Sequence, residues 1–236
     1  MSINKKSAFT LAEVLITLGV IGVVAAMTLP VLMQNIKGAQ FISKFKKELS
    51  VLNQAVTINK AKYDWDFSDA VEEHSLISNH NSVADIFTKN LKVSKNVYIM
   101  MFPGDGKVNY VDTYDIKFSI NRDGWFGGDY YTFMLPDGAI VSYSEASFGP
   151  CSLPKDMSLN EWINSDSFGY SCIGFIDVNG PQLPNKEVSC ATGNTSTNLD
   201  EPCPVDNNSI GDVFPVVYYD SVVAPASNAA AAVLGK

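Results

Sequence analysis

Between Val14 and Met33 the chain has 20 consecutive residues without a charge, and this run limits what it can fold into more than any other feature. At about 1.5 Å rise per residue, a helix of that length spans the roughly 30 Å hydrocarbon core of a bilayer. One acid, Glu13, stands just before the run, and two lysines, Lys5 and Lys6, precede it in a short leader. A secretory signal peptide has a shorter apolar region with a small-x-small cleavage site after it. Here the small residue Ala8 comes before the apolar run, so cleavage at that point keeps the helix. A carboxylate at the centre of a membrane helix costs about 2.5–3.5 kcal/mol on insertion scales and less near the interface. Glu13 therefore needs either the headgroup layer or a partner.

The order of these parts, a basic leader ending in KKSA and then FTLAEVL, resembles the type IV pilin and type II secretion pseudopilin family. The resemblance rests on Ala8, Phe9, Thr10, Leu11, Glu13 and Pro30 and covers about 35 residues. It implies that a prepilin peptidase cuts between Ala8 and Phe9 on the cytoplasmic side and methylates the new amine. It further implies a subunit held in the bacterial inner membrane, then extracted by an assembly platform and polymerised with other pilins, homo- or heteromerically, around bundled apolar helices. The Phe9 amine would lie one helical turn before Glu13, placed to neutralise the acid of a neighbouring subunit. Pro30 cannot donate a helical hydrogen bond and, with Gly19 and Gly22, marks a stretch that could bend or unwind, either as a fixed kink of a membrane helix or, as the resemblance implies, by extension during filament packing. The organisation expected is a leader over 1–8, a membrane and filament-core helix over 9–33, and an extracytoplasmic globular domain over 34–236.

Charge bears on orientation and on partners. Lys5 and Lys6 favour a cytoplasmic N-terminus, whereas Lys37, Lys44, Lys46 and Lys47, just past the apolar run, compete with that signal; the leader pattern and the cysteines decide for export. The formal charge is −8, and loss of the leader leaves 15 basic against 25 acidic residues, or −10 before the new amine is counted. An acidic surface argues against general nucleic-acid binding, whose affinity comes from basic stripes.

Past the membrane run, Phe41, Phe45, Leu49, Leu52, Ala55 and Val56 recur at three- and four-residue spacing, while Lys44, Lys46, Lys47, Glu48 and Lys60 are assigned to the other faces. Together with the apolar run this predicts one helix of about 55 residues, about 80 Å long. A short helix over 83–91 follows a polar loop. Strands are expected at 96–102, 114–120, 130–135, 139–143, 172–177 and 213–219, with YYTFMLPDGAIVSY as a hairpin turning at Pro136, Asp137 and Gly138. The fold class is α+β, a long helix laid on an antiparallel sheet. Trp125, Phe126, Tyr130 and Tyr131 are read as core or edge residues in preference to a carbohydrate-contacting surface, and the tail from Asn228 as partly disordered.

Four cysteines, Cys151, Cys172, Cys190 and Cys203, fall in a loop-rich C-terminal part. Three disulfide connectivities are open; neighbour pairing, Cys151 with Cys172 and Cys190 with Cys203, is favoured because each closes a short loop. No Cys-x-x-Cys occurs, and His74 and His80 have no ligand spacing, which disfavours a cysteine metal site. The segment GFIDVNGPQLPNKEVSC and the later IGDVFPVVYY resemble a C-terminal pattern of bacterial pilin-like proteins, carried by Asp177, Asn179, Gly180, Pro184, Asn185, Gly211, Asp212 and Phe214. That resemblance implies a loop in which Asp177, Asn179 and Asp212 either ligate Ca²⁺, an ion needing six to eight oxygens, or form a hydrogen-bonded turn. No nucleophile elbow or phosphate-cradling loop is present. A structural filament subunit is the leading reading, and a membrane-anchored binding protein or enzyme with an uncleaved anchor is the alternative.

Overall fold

The computed structural model describes residues 10–70, 82–101, 107–110, 114–117, 129–144, 151–166, 168, 172–206 and 210–235. Ala8, Phe9, His74, His80, Trp125 and Phe126 lie outside them. Helix α1, Leu11–Tyr63, runs 53 residues without interruption, about 80 Å. It stays α-helical across Pro30, although that residue leaves the Ala26 carbonyl without its helical donor. It stops where Asp64 takes a left-handed conformation at φ 59°. The helix has two environments. Over Leu11–Pro30 its mean hydropathy is 2.2 and none of it is buried. The hydroxyls there turn back on the helix, Thr17 donating to the Glu13 carbonyl at 2.9 Å and Thr28 to that of Val24 at 3.0 Å, so they require no water.

In the second half the stripe of Phe41, Phe45, Leu49, Leu52, Ala55 and Val56 is buried, as the spacing predicts, together with Ile42. Glu48 corrects the sequence reading. It is only 1 % exposed, because position 48 lies one turn beyond Phe45 and next to Leu49 on the face that meets the sheet.

The sheet has eight strands in the order β3-β2-β1-β4-β5-β6-β7-β8. They are β1 Lys95–Met101, β2 Lys107–Tyr110, β3 Tyr114–Lys117, β4 Asp129–Met134, β5 Ile140–Ser144, β6 Ile173–Asp177, β7 Val213–Tyr219 and β8 Val222–Pro225. Every neighbouring pair is antiparallel. The β4–β5 hairpin turns where expected, with Leu135 N–H donating to the Ala139 carbonyl at 2.8 Å. Short helices α2 Val83–Asn90, α3 Leu159–Ile163 and α4 Asn228–Leu234 complete the fold. Strands β2 and β8 and helices α3 and α4 are additions to the sequence reading. The tail is an ordered helix, contrary to expectation, because Ser227 caps it through the Ala230 N–H and its small residues Ala229 and Ala230 fit against the core.

Helix α1 runs alongside β7 in the same direction. Phe45 stacks on Phe214 at 4.2 Å near the start of the strand, Asn53 meets Val223 further along, and Phe67 N–H reaches the Asp220 carbonyl at 2.9 Å beyond its end. Phe67, Phe87, Phe133, Tyr143 and Tyr218 fill the space between α1, α2 and the sheet, with ring centroids 5.3–6.4 Å apart. Cys151 is bonded to Cys172 and Cys190 to Cys203, and no described cysteine is free.

Candidate functional site

Two places hold the residues singled out by the sequence, the first turn of α1 and the loops at the end of β6. Thr10 is the N-cap of α1, and Glu13 occupies the third helical position. Glu13 Oε2 accepts from both the N–H and the hydroxyl of Thr10 at 2.8 Å, and Glu13 N–H donates to Thr10 Oγ1 at 3.2 Å. This is a reciprocal capping box, which satisfies two orphan donors and sets the carboxylate at the positive end of the helix dipole. The acid is thus compensated within its own chain, and its second oxygen has no partner among the described residues. Thr10 is the residue that the functional reading undervalued, and the signal for it, T-x-x-E before an apolar run, was present. Pro30 lies 17 residues downstream of Glu13 on the same exposed segment.

At the other place, Gly211 and Gly180 let backbones approach. A Cβ on Gly211 would stand 2.1 Å from the Lys186 carbonyl oxygen, and one on Gly180, which sits at φ 61°, 2.3 Å from that of Gly138. The resulting contact straps the loop after β6 to the start of β7: Asp212 and Val213 N–H both donate to the Lys186 carbonyl, at 2.9 and 3.0 Å, and Val178 N–H to that of Asp212 at 2.9 Å. Asp177 and Asp212, both fully buried, are brought together here. Asp212 Oδ1 accepts from Lys186 N–H at 2.8 Å, Asp212 Oδ2 from Asn185 N–H at 3.1 Å, and Asp177 Oδ1 from Asn179 N–H at 3.0 Å. Asp177 Oδ2 is buried without a hydrogen bond. Asn179 Nδ2 donates to the carbonyls of Gln182 and Leu183 at 2.9 and 3.0 Å.

Burial, and then the charge of Asp212, push the Asp177 carboxyl well above the usual carboxylate range. Burial also raises Asp212, against the pull of the Lys186 and Asn185 N–H groups. Three of the four carboxylate oxygens of Asp177 and Asp212 accept backbone N–H groups, the bonding that a hydrogen-bonded turn requires.

A second acid pair, Glu48 with Asp137, is not signalled by the sequence. Lys47 Nζ lies 2.6 Å from Asp137 Oδ2 and 3.0 Å from Glu48 Oε1. The second contact is an ion pair without hydrogen-bond geometry, so Glu48 Oε1 lacks a donor. Burial, then a hydrogen bond to Asp137, raise Glu48 to about 7. For Asp137, burial acts upward but is outweighed by the hydrogen bonds from Glu48, Lys47 and Ala139 N–H, which hold it at about 2. The two carboxyls face each other and Lys47 at the junction of α1 with the β4–β5 turn, and their interaction pushes Glu48 up and Asp137 down.

Residues 3–29 match the family described as the prokaryotic N-terminal methylation motif, the signature of type IV pilins and pseudopilins. No curated protein and no solved structure matches the chain. The motif supports a pilin-like or pseudopilin subunit, a structural role, and with the apolar helix it fits membrane anchoring.

Proposed function

We propose that this chain is a subunit of a type IV pilus or type II secretion pseudopilus, cleaved between Ala8 and Phe9 by a prepilin peptidase and polymerised through α1. One observation carries the reading: the methylation motif, residues 3–29, takes in the first half of a helix, Leu11–Pro30, that is apolar and uncovered by the rest of the chain. Such a surface needs lipid before assembly and other helices after it. Glu13 fits both states. Its capping bonds to Thr10 occupy one carboxylate oxygen and leave the other for the Phe9 amine of a neighbour, since an ionised carboxyl has about four acceptor sites. The N-terminus faces the cytoplasm, the domain from about Gln34 onward lies outside it, and assembly draws the subunit from the inner membrane into an extracellular or periplasmic filament with its platform proteins.

The test is N-terminal sequencing of the mature protein. A chain beginning at methylated Phe9 supports the proposal, and an intact Met1 would sink it in favour of an uncleaved anchor.

A further inference from the structure

Because α1 and β7 run in the same direction, the globular domain has a defined end that faces the helix's membrane segment. Lys44 Nζ donates to the Val178 carbonyl at 3.1 Å, and Lys47 reaches Asp137. The β4–β5 turn, the loop after β6 and the entry to β7 therefore sit at the level of residues 44–48. The other strand ends, at Asp220 and Ser221, sit beyond Tyr63, where Ser221 and Lys60 both reach Asp66. Gly38 is buried, so the domain covers α1 to within five residues of Met33, about 7–8 Å along the axis. The headgroup layer on each side of a bilayer is about 5–8 Å deep. The base of the domain thus meets it.

That base carries one apolar side chain that the fold does not use. Leu183 is 80 % exposed, on a loop held by the Asn179 amide and by the Asp212 clasp. Around the same end stand exposed Lys37, Lys92 and Lys186. Of the described acids that these contacts place there, Asp177, Asp212 and Glu48 are buried, and Asp137 is paired with Lys47. In a chain of formal charge −8 this lysine-rich end is a local reversal of sign.

We propose that the base of the globular domain docks on the anionic lipid surface from which α1 emerges, Leu183 entering the interface and Lys37, Lys92 and Lys186 facing lipid phosphates. The inference rests on the membrane-anchored reading of α1 and deepens it. An apolar side chain on a clamped loop loses little entropy on insertion, and lysines add electrostatic attraction to the leaflet. Docking gives the subunit a second contact that must be released before it can leave the membrane. It also gives Lys37, one of the residues competing with the orientation signal, a task on the outer face.

The test uses the full chain in lipid nanodiscs at one chain per disc, with NBD attached at Leu183→Cys or at the exposed Asp156→Cys, in the loop that Cys151 and Ser152 tie to Phe67 and Asp220 at the opposite end. Discs containing phosphatidylglycerol and a headgroup-nitroxide lipid should blue-shift and quench the probe at 183 and not the one at 156. Both effects should vanish in phosphatidylcholine discs and at about 1 M salt, where the Debye length is about 3 Å. Replacing Lys37, Lys92 and Lys186 by Gln should weaken docking by roughly fivefold per lysine. Equal quenching at the two sites, or the same quenching in phosphatidylcholine discs, would overturn the proposal. So would a blue shift that grows with chains per disc without lipid quenching, which would assign Leu183 to contacts between copies. Failure of the chain to enter discs at all would instead count against the anchored reading itself.

Discussion

Glu48 makes the stability of the domain depend on pH in a direction opposite to ordinary acid denaturation. Its carboxyl is raised from 4.5 to about 7 in the folded protein by burial and by its bond to Asp137. Below about pH 4.5 the residue is protonated whether folded or unfolded and adds no pH dependence. Between 4.5 and 7 the unfolded chain releases the proton while the folded chain keeps it, so stability falls as pH rises, and above 7 the loss is complete. A shift from 4.5 to about 7 corresponds to about 3 kcal/mol. For a domain of this size that amounts to roughly 6–12 °C in melting temperature. Glu48→Gln keeps the shape and a donor for Asp137 but cannot ionise. The melting temperature of the full chain in detergent should therefore differ little between the two proteins near pH 4.5 and favour the variant by that margin near pH 8. Asp177 and Asp212 are also raised and act in the same direction in both proteins, so the quantity to read is the difference between them. Asp137, held at about 2, contributes stability that is lost only below about pH 3.8, outside this window. A difference in melting temperature that does not change with pH would refute the reasoning.

Glu13→Ala should leave membrane insertion intact or improve it while lowering the yield of sheared fibres, because the Thr10 capping bonds occupy one carboxylate oxygen and leave the charge itself to be neutralised by a neighbour's amine; unchanged fibre yield would remove Glu13 from assembly. Asp212→Ala should destabilise the domain by about 2–4 kcal/mol by orphaning the Asn185 and Lys186 N–H groups, and millimolar calcium should leave the melting temperature of the unmodified chain where it was if the loops form a hydrogen-bonded turn; a calcium-dependent rise would assign them to the metal instead. Thiol titration of denatured protein from its native compartment should find none of the four cysteines reactive, and four reactive thiols would reverse the export assignment as well as the pairing. Asn53→Ala should cost about 1–2 kcal/mol, read as a fall in melting temperature, since it strips Val223 of both a donor and an acceptor.

What was legible in the sequence was local and periodic. The stripe from Phe41 to Val56 announces its burial at helical spacing, and Pro136, Asp137 and Gly138 announce a turn by their backbone preferences. Glu48 was misplaced for the complementary reason. Its neighbours in sequence make it one more charge in a lysine-rich stretch, while the partner that lets it sit inside, Asp137, is 89 residues away and is recognisable only once the hairpin touches the helix. The Asp177 and Asp212 pair was found by resemblance, but that all but one of their oxygens accept backbone N–H groups follows from loop closure around Gly180 and Gly211, which no spacing rule reports. Strand β8 and helix α4 escaped because a four-residue strand and a run of alanines carry little intrinsic signal. Both are held by contact with α1 and β7.

Those late elements bear on assembly under the proposed function. Strand β8 is an edge, and an exposed edge invites another chain to add a strand. At Val223 the invitation is withdrawn from within: its N–H donates to Asn53 Oδ1 and its carbonyl accepts from Asn53 Nδ2, both at 2.9 Å. A single amide of α1 thus stands where the next strand would pair. With that edge occupied, polymerisation by sheet extension through β8 is disfavoured, and the large unsatisfied surface among the described residues is the first half of α1, Leu11–Pro30, none of which is buried. The same helix therefore does both jobs, closing the domain's sheet with its second half and offering its first half to lipid or to other helices.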